Sequence, residues 1–371
     1  MRICKLCEIA NFKTGKLNSN ASKNEGRYPF FTCAPEPLKI DTYAFDTKAI
    51  ILAGNNAEGN FHIQYFEGKF NAYQRTYVIE TIDDTIVDIR YLFYALKMCL
   101  KHFKLISQGT ATKFLTAKIL NAFELPIPEI DLQQKLVSLL AAIDDKIEEN
   151  QKINENLEQQ AQAIFANEFL ALESLPDGWK RGSLIDIADY LNGLAMQKYR
   201  PAADEVGIPV LKIKELRQGC CDDTSEVCSP NIKTNYIIHD GDVIFSWSGS
   251  LLVDFWCGGI CGLNQHLFKV TSSVYDKWFY YAWTKHHLER FIAVAADKAT
   301  TMGHIKRDEL SKAEVLIPNK ADYNRIGSLL HPIYDLIITN RIESKKLAET
   351  RDTLLPKLMS GEIDISEVDY E

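Results

Sequence analysis

Glu67-Gly-Lys69, with Asp46 upstream, has the acidic–acidic–lysine layout with which nucleases hold a metal ion beside a phosphodiester. So short a pattern arises by chance in most chains of this length, and nothing else in the sequence supports it. Cys4-x-x-Cys7 and Cys257-x-x-x-Cys261 have the form of zinc half-sites, but neither has a properly spaced second pair. Cys4 and Cys7 bracket the apolar Leu6, so buried thiols are the expectation. His286 and His287 fall in a helical stretch, where neighbours point about 100° apart, which speaks against joint metal ligation. There is no G-x-x-x-x-G-K-[ST] phosphate loop, no G-x-G-x-x-G after a strand, and no Gly-x-Ser-x-Gly elbow. The sequence holds no recognisable catalytic site and no metal site.

Side chains suited to reading base edges do cluster in expected loops. In the first half these are Asn18, Asn20, Lys23, Asn24 and Arg27, then Asn55 and Asn56, then Asn71, Tyr73, Gln74 and Arg75. The second half supplies Gln197, Lys198, Tyr199 and Arg200, then Lys212, Lys214 and Arg217, then Asn264, Gln265 and His266. Arg and Lys suit guanine N7/O6, Asn and Gln suit adenine N6/N7, and a cation also neutralises phosphate. Loops are polar in any protein, so no single residue decides. The signal lies in both halves showing it at corresponding places.

That correspondence is a duplication. Shifted by 190 positions, residues 110–150 align with 300–340 without a gap, with 12 identities in 41 positions. They include Thr110/Thr300, Leu120/Leu310, Pro128/Pro318, Ile143/Ile333, Ile147/Ile337 and Asn150/Asn340. Upstream, Leu6, Ile9, Ala10 and Gly15 match Leu184, Ile187, Ala188 and Gly193, and Gln74 with Tyr77 matches Gln265 with Phe268. A period this long is a domain duplication, not a solenoid.

Each half opens with a segment rich in β-branched and aromatic residues broken by Gly, Asn and Pro. Tyr77-Val78-Ile79 and Asp242 to Trp247 read as strands, and Asp88–Lys104 and Asp276–Ala296 have helical spacing, with at least one helix expected in each half. Each half closes with a long helix. Asp131-Leu-Gln-Gln134 has capping-box form and predicts the first helix start. A seam of alternating steps of four and three runs Ile143, Ile147, Asn150, Asn154, Leu157, Ala161, Ile164. Its counterpart runs Ile333, Ile337, Asn340, Ser344, Leu347, Arg351, Leu354, Leu358. Leu175-Pro-Asp-Gly-Trp179 is expected to stop the first helix, and Pro356 with Gly361 the second. Neither helix can bury its stripe alone, so the two are expected to pair, with Asn150 and Asn340 as a register-fixing polar layer.

The 371 residues, 46% hydrophobic and 25% charged, suit a folded chain of two or three domains. No apolar run is long enough to span a membrane, and the start has no apolar signal core, so a cytoplasmic protein with reduced thiols is expected. The net charge of −8 hides a strong asymmetry. Residues 1–122 carry 16 Lys+Arg against 11 Asp+Glu, and 176–312 carry 16 against 17. Residues 123–175 carry 3 against 11, and 313–371 carry 7 against 11. The acidity sits in the helical segments, which makes them poor phosphate binders and candidate protein-docking surfaces.

LPIPEIDLQQKLVSLLAAIDDKIEENQKINENLEQQAQAIF resembles the central conserved region of specificity subunits of type I restriction–modification enzymes. LPDGWKRGSLIDIADYLNG is similar to the opening of a second target-recognition domain, and RIESKKLAETRDTLLPKLMSGEIDI to the distal conserved region. The resemblance covers essentially the whole chain. It implies an α+β fold: two similar globular target-recognition domains joined by two long antiparallel paired (coiled-coil) helices, with a pseudo-two-fold internal repeat. The implied division is 1–122 first recognition domain, 123–175 central helical region, 176–312 second recognition domain, and 313–371 distal helical region. The implied function is non-catalytic DNA recognition of an asymmetric bipartite target, with the helices as a ruler between half-sites. The implied partners are double-stranded DNA, two modification (methyltransferase) subunits, and restriction subunits through the complex. S-adenosylmethionine, ATP and Mg²⁺ would belong to those subunits. One departure is that no Leu-Pro-x-Gly-Trp precedes Leu6, so shorter helical support for the first domain is expected. The competing reading is a protein-binding scaffold built on a coiled coil, without DNA.

Overall fold

The computed structural model describes residues 2–297 and 307–365. Thr300, one member of the repeat, lies outside them, as do the rest of residues 298–306 within the segment expected at 176–312 and residues 366–371 at the end of that expected at 313–371. The chain divides into two compact units, residues 1–145 with 349–371 and residues 146–348, so each long helix is shared between them.

In the first unit a six-stranded sheet is built from β1 (Ala10–Thr14), β2 (Tyr28–Phe31), β3 (Leu38–Ile40), β4 (Phe45–Ala53), β5 (Ile63–Ala72) and β6 (Thr76–Thr81). Their order is β1-β6-β4-β5-β2-β3. All pairs are antiparallel except β2 with β5, where Phe30 lies opposite Asn71 and Phe31 opposite Ala72. From Ala49 to Ala53, β4 is buried on both faces. Ile50 and Leu52 face the main core, while Ala49 and Ile51 join Phe31, Phe70 and Val78 on the other side. Its first half alternates outward, and there the nuclease-like residues find their role. Lys48 pairs with Glu67 (3.4 Å) and Asp46 with Lys69 (4.0 Å) across β4 and β5. This is a cross-strand charge ladder.

The helical stretch expected at 88–104 is two helices, α1 (Ile89–Met98) and α2 (Leu100–Ile106), divided at Cys99. Asp88 caps α1, accepting from the N–H groups of Arg90 (2.8 Å) and Tyr91 (3.0 Å). Cys4 is buried as expected, but Cys7 is exposed, because only Leu6 and Ile9 of that turn point inward.

Helix α3 (Ile130–Phe165) starts one residue before the expected cap, so Asp131 lies inside it and the capping box does not form. Gln133 is instead fully buried. Its amide donates to the carbonyls of Ile86 and Pro128 and accepts from the Asp88 N–H, fastening the helix start to α1. The helix runs into a π-turn, Ala166–Leu170, and is over before Leu175.

The second unit repeats this plan. Strands β7 (Asp189–Asn192), β8 (Ile208–Leu211), β9 (Val227–Cys228), β10 (Ile237–Ile238), β11 (Val243–Ser246), β12 (Leu252–Phe255), β13 (Cys261–Leu263) and β14 (Leu267–Thr271) form two four-stranded sheets. Their orders are β7-β14-β11-β12 and β9-β8-β13-β10. The parallel pair recurs: Val210 and Leu211 of β8 face Gly262 and Leu263 of β13, 191 positions beyond Asn71 and Ala72. The helical stretch expected at 276–296 is α4 (Lys277–His286) and α5 (Leu288–Asp297), broken at His287 as the first is at Cys99. The core gathers Trp278, Phe279, Tyr281, Trp283 and Phe291 around Phe165, Phe169 and Trp179.

Helix α6 (Lys320–Ser360) closes the chain. Pro356 does not stop it. The helix ends at Gly361, whose φ of 77° is open to glycine without strain. Within the first unit Arg351 of α6 meets Asp144 of α3 at 2.6 Å, and within the second Asn150 meets Ser344 and Arg325 meets Glu168. Numbers rise along one helix as they fall along the other, so the pairing is antiparallel. Asn150, Asn154, Ala161, Ile337, Asn340 and Leu358 are buried, and Ile143, Ile147, Leu157, Ile164, Ile333 and Leu347 half-buried. Asn150 and Asn340 do not form a layer together. Asn150 donates to Glu343 (2.7 Å) and Ser344 (3.3 Å), and Asn340 donates to Asn154 (2.9 Å).

Charged side chains tie the helices to each domain. Arg341 of α6 bonds Glu158 of α3 (2.8 Å) and Asp254 of β12 (2.7 Å), and Glu158 also takes Lys285 of α4. In the first unit Asp144 takes both Arg351 and the Tyr94 hydroxyl. Among the described residues no helix is long and apolar enough to cross a membrane.

Candidate nucleic-acid interface

The turn after the parallel strand is built on the same plan in both domains. Gly15 lies so close to this turn that a Cβ there would sit 1.7 Å from the Ala72 carbonyl oxygen. At Gly193 it would sit 2.2 Å from that of Asn264. Only glycine fits either place. The following loop then reaches the turn. The Gln74 N–H donates to the Leu17 carbonyl at 2.9 Å, and the Gln265 N–H donates to the Leu194 carbonyl at 2.9 Å. Thr76 N–H closes on Tyr73, and Leu267 N–H on Asn264. Each loop continues into a short 3₁₀ turn, Ser19–Ala21 and Met196–Lys198.

The tips carry different side chains. In the first domain the Gln74 amide donates to Asn18 Oδ1 (2.8 Å), and the Arg75 guanidinium lies over the Phe114 ring, 5.5 Å from its centre. Both line a cleft of about 400 Å³ with Thr14, Gly54, Tyr77 and Thr116. In the second domain Gln265 stands against His266 (3.3 Å). Gln197, Lys198, Tyr199 and Arg200 are exposed on the adjoining loop.

Several expected readers are committed elsewhere. Asn71 is buried, its amide donating to Thr42 and accepting from the Ala72 N–H. Asn56 accepts from the N–H groups of Glu58 and Asn60, Asn55 accepts from Cys33, and buried Asn264 accepts from the His266 N–H. Tyr73 is half-buried and fixed through its N–H to Phe31. Lys23 is paired with Asp41, and Lys212 with Glu226, whose carboxyl that bond holds below its ordinary pKa. Lys214 bonds Asp222, a carboxylate that Thr224, Gln218 and Lys214 hold well below the usual range, so it stays charged against the lysine. Asn20, Asn24, Arg27 and Arg75 are exposed, and Arg217 reaches Ser250 at 3.4 Å. Sequence reasoning missed Trp247, whose indole N–H donates to Asn192 (3.0 Å) and whose ring stands beside His266. A tryptophan ending the predicted strand beside a polar turn was the available signal.

Among the described residues no three metal-binding side chains converge. Cys257 and Cys261 are both buried, and burial raises the Cys257 thiol pKa to about 11. His287 bonds the Glu314 carbonyl, while His286 packs on Phe165 and Trp283.

A family model described as type I restriction modification DNA specificity domain matches residues 1–159 and again 176–349. The MjaIX specificity subunit of Methanocaldococcus jannaschii is 27% identical over 311 residues, covering 77% of this chain and 71% of that one. The EcoDI specificity subunit of Escherichia coli is 36% identical over 163 residues, covering 43% of this chain and 35% of that one. The crystal structure of a type I restriction–modification S subunit from M. genitalium has the same fold. Its TM-score is 0.59 at 15% identity, covering 96% of this chain and 95% of that one. With both halves matched separately and most of the sequence covered, this chain belongs to the type I restriction modification DNA specificity family.

Proposed function

We propose that the chain is the DNA sequence-recognition subunit of a type I restriction–modification complex, with residues 1–122 and 176–312 each reading one half of a bipartite target. It is not itself an enzyme: specificity subunits supply recognition, and methyl transfer and cleavage belong to partner subunits. The observation that carries the reading is the pair of equivalent turns at Gln74 and Gln265. Equivalent backbone scaffolds present different side chains, so the half-sites differ and the target is asymmetric. The acidic central (123–175) and distal (313–371) segments dock two modification subunits, and restriction subunits join through them, in the cytoplasm. S-adenosylmethionine, ATP and Mg²⁺ are held by those partners. A scaffold binding proteins alone has no use for two such turns, and family membership favours the DNA reader. The test is co-expression with the modification subunit in a host lacking other methylation, with mapping of the methylated bases. One bipartite motif with unlike halves is expected. Methylation that does not depend on this chain overturns the proposal.

A further inference from the structure

Between Lys97 and Lys118 the chain carries five lysines and a histidine and not one carboxylate. Lys97 is paired with Asp352, 3.9 Å away. The other four are not. Lys104 bonds only the neutral Oδ1 of Asn60, and among the described residues Lys101, Lys113 and Lys118 meet no carboxylate. Lys101, Lys104 and Lys118 are exposed and Lys113 half-exposed.

Folding brings part of this set to the recognition turn. A Cβ at Gly59 would lie 3.1 Å from Cγ of Lys104 and 3.2 Å from Cγ of Lys113, so the two stems flank one glycine. Lys113 precedes Phe114, the ring under Arg75, and Lys118 follows Ala117, which lines the same cleft as Gln74 and Arg75. The only carboxylate of the adjoining loop, Glu58, takes the Asn60 amide instead. In the second domain two cations of the corresponding helices have carboxylate partners. Lys285 bonds Glu158, and Arg290 bonds Glu309 and the Lys312 carbonyl.

We propose that Lys104 and Lys113, beside Arg75, form a phosphate-binding track for duplex DNA. On this proposal the first recognition domain is the electrostatic anchor of the chain, while the second contributes mainly base reading. The inference rests on the DNA-recognition role proposed for the chain. Like charges held together without a counter-charge repel, and a polyanion relieves that repulsion while releasing its own counterions. Placed next to a base-reading turn, such charges fix register on the backbone without reading sequence.

The experiment uses the complex with its modification subunits, titrated with a duplex carrying its motif and with an unrelated duplex over a range of salt. K104Q/K113Q is compared with K48Q, which removes an exposed lysine already paired with Glu67. The double variant should lower the slope of log K against log[salt] by about 2 and weaken both duplexes alike, by roughly tenfold. K48Q should leave the slope unchanged, and the methylated motif should keep its letters in both. An unchanged slope in the double variant, an equal change in K48Q, or altered motif letters would each overturn the track. A wild-type complex with no preference for its own motif would instead overturn the recognition role, because slopes on the unrelated duplex still report phosphate contacts.

Discussion

Asn154 and Asn340 face each other across the helix pair, both buried, with the Asn340 amide donating to Asn154 Oδ1 at 2.9 Å. The Asn154 amide in turn donates to the Ile337 carbonyl at 3.3 Å. A buried amide pair gives little net stability, but it fits only one register of two apolar stripes.

Asn340→Ala strands the Asn154 oxygen in a dry seam, and a loss of about 1–3 kcal/mol is expected. The paired change Asn154→Leu with Asn340→Leu removes both partners and should be near neutral or stabilising, while relaxing register. Thermal denaturation of the two variants decides between a register device and a stabilising contact. If the double variant were as unstable as the single, the stabilising contact would be the better account.

The turns predict separable halves. Gln74→Ala, exposed in the first domain, should alter the letters of one half-site only, and Gln265→Ala those of the other. Removing one discriminating hydrogen bond to a base relaxes that position by roughly 1–3 kcal/mol. Methylation mapping of the two variant complexes reads this directly. Changes spread over both halves by either substitution would mean that the domains do not read independently.

Much of this was legible because duplication turns weak signals into paired ones. The match of Gln74 with Gln265 in sequence is the match of their N–H bonds to Leu17 and Leu194. The seams emerged from steps of four and three, since heptad spacing depends on the helix alone. What could not be read depended on tertiary partners. Asn71, Asn56 and Lys214 look like loop residues able to meet a base, yet Thr42, the Glu58 and Asn60 N–H groups, and Asp222 occupy them. The helix breaks at Cys99 and His287 carry no Pro or Gly to announce them. The two asparagines at matching repeat positions were natural partners on paper, but the antiparallel register pairs Asn340 with Asn154 instead.

His287 gives the second unit a pH dependence. Burial lowers its pKa below the ordinary 6.5, outweighing the bond to the Glu314 carbonyl, which raises it, and neighbouring His286 and Arg290 add to the lowering. The folded chain therefore binds this proton less readily than the unfolded chain. Stability is fully present above about pH 6.5 and declines as pH falls below it. The Tm should drop between pH 7.5 and 5.5. His287→Gln, which can keep a donor to the Glu314 carbonyl, should lessen that drop. An identical pH profile in the variant would show that other groups set it.

The last prediction concerns the helices as a measure of distance. A four-residue insertion in α3 between Asp145 and Lys146 adds roughly 6 Å of rise, close to that of two base pairs, and rotates the remainder of the helix by about 40°. Alone, it leaves Asp144 opposite Arg351 on one side and Asn154 opposite Asn340 on the other, with an unmatched stutter between them that local unwinding absorbs only in part. Weak or absent methylation is expected. A matching insertion in α6 between Ala348 and Glu349 restores equal lengths while keeping both sets of bonds, and activity should return. The motif of the doubly extended chain should keep every half-site letter, since the turns at Gln74 and Gln265 are untouched, but carry a spacer about two base pairs longer. Methylation of the original motif with its original spacer would show that the helices do not set the distance and act as docking surfaces alone.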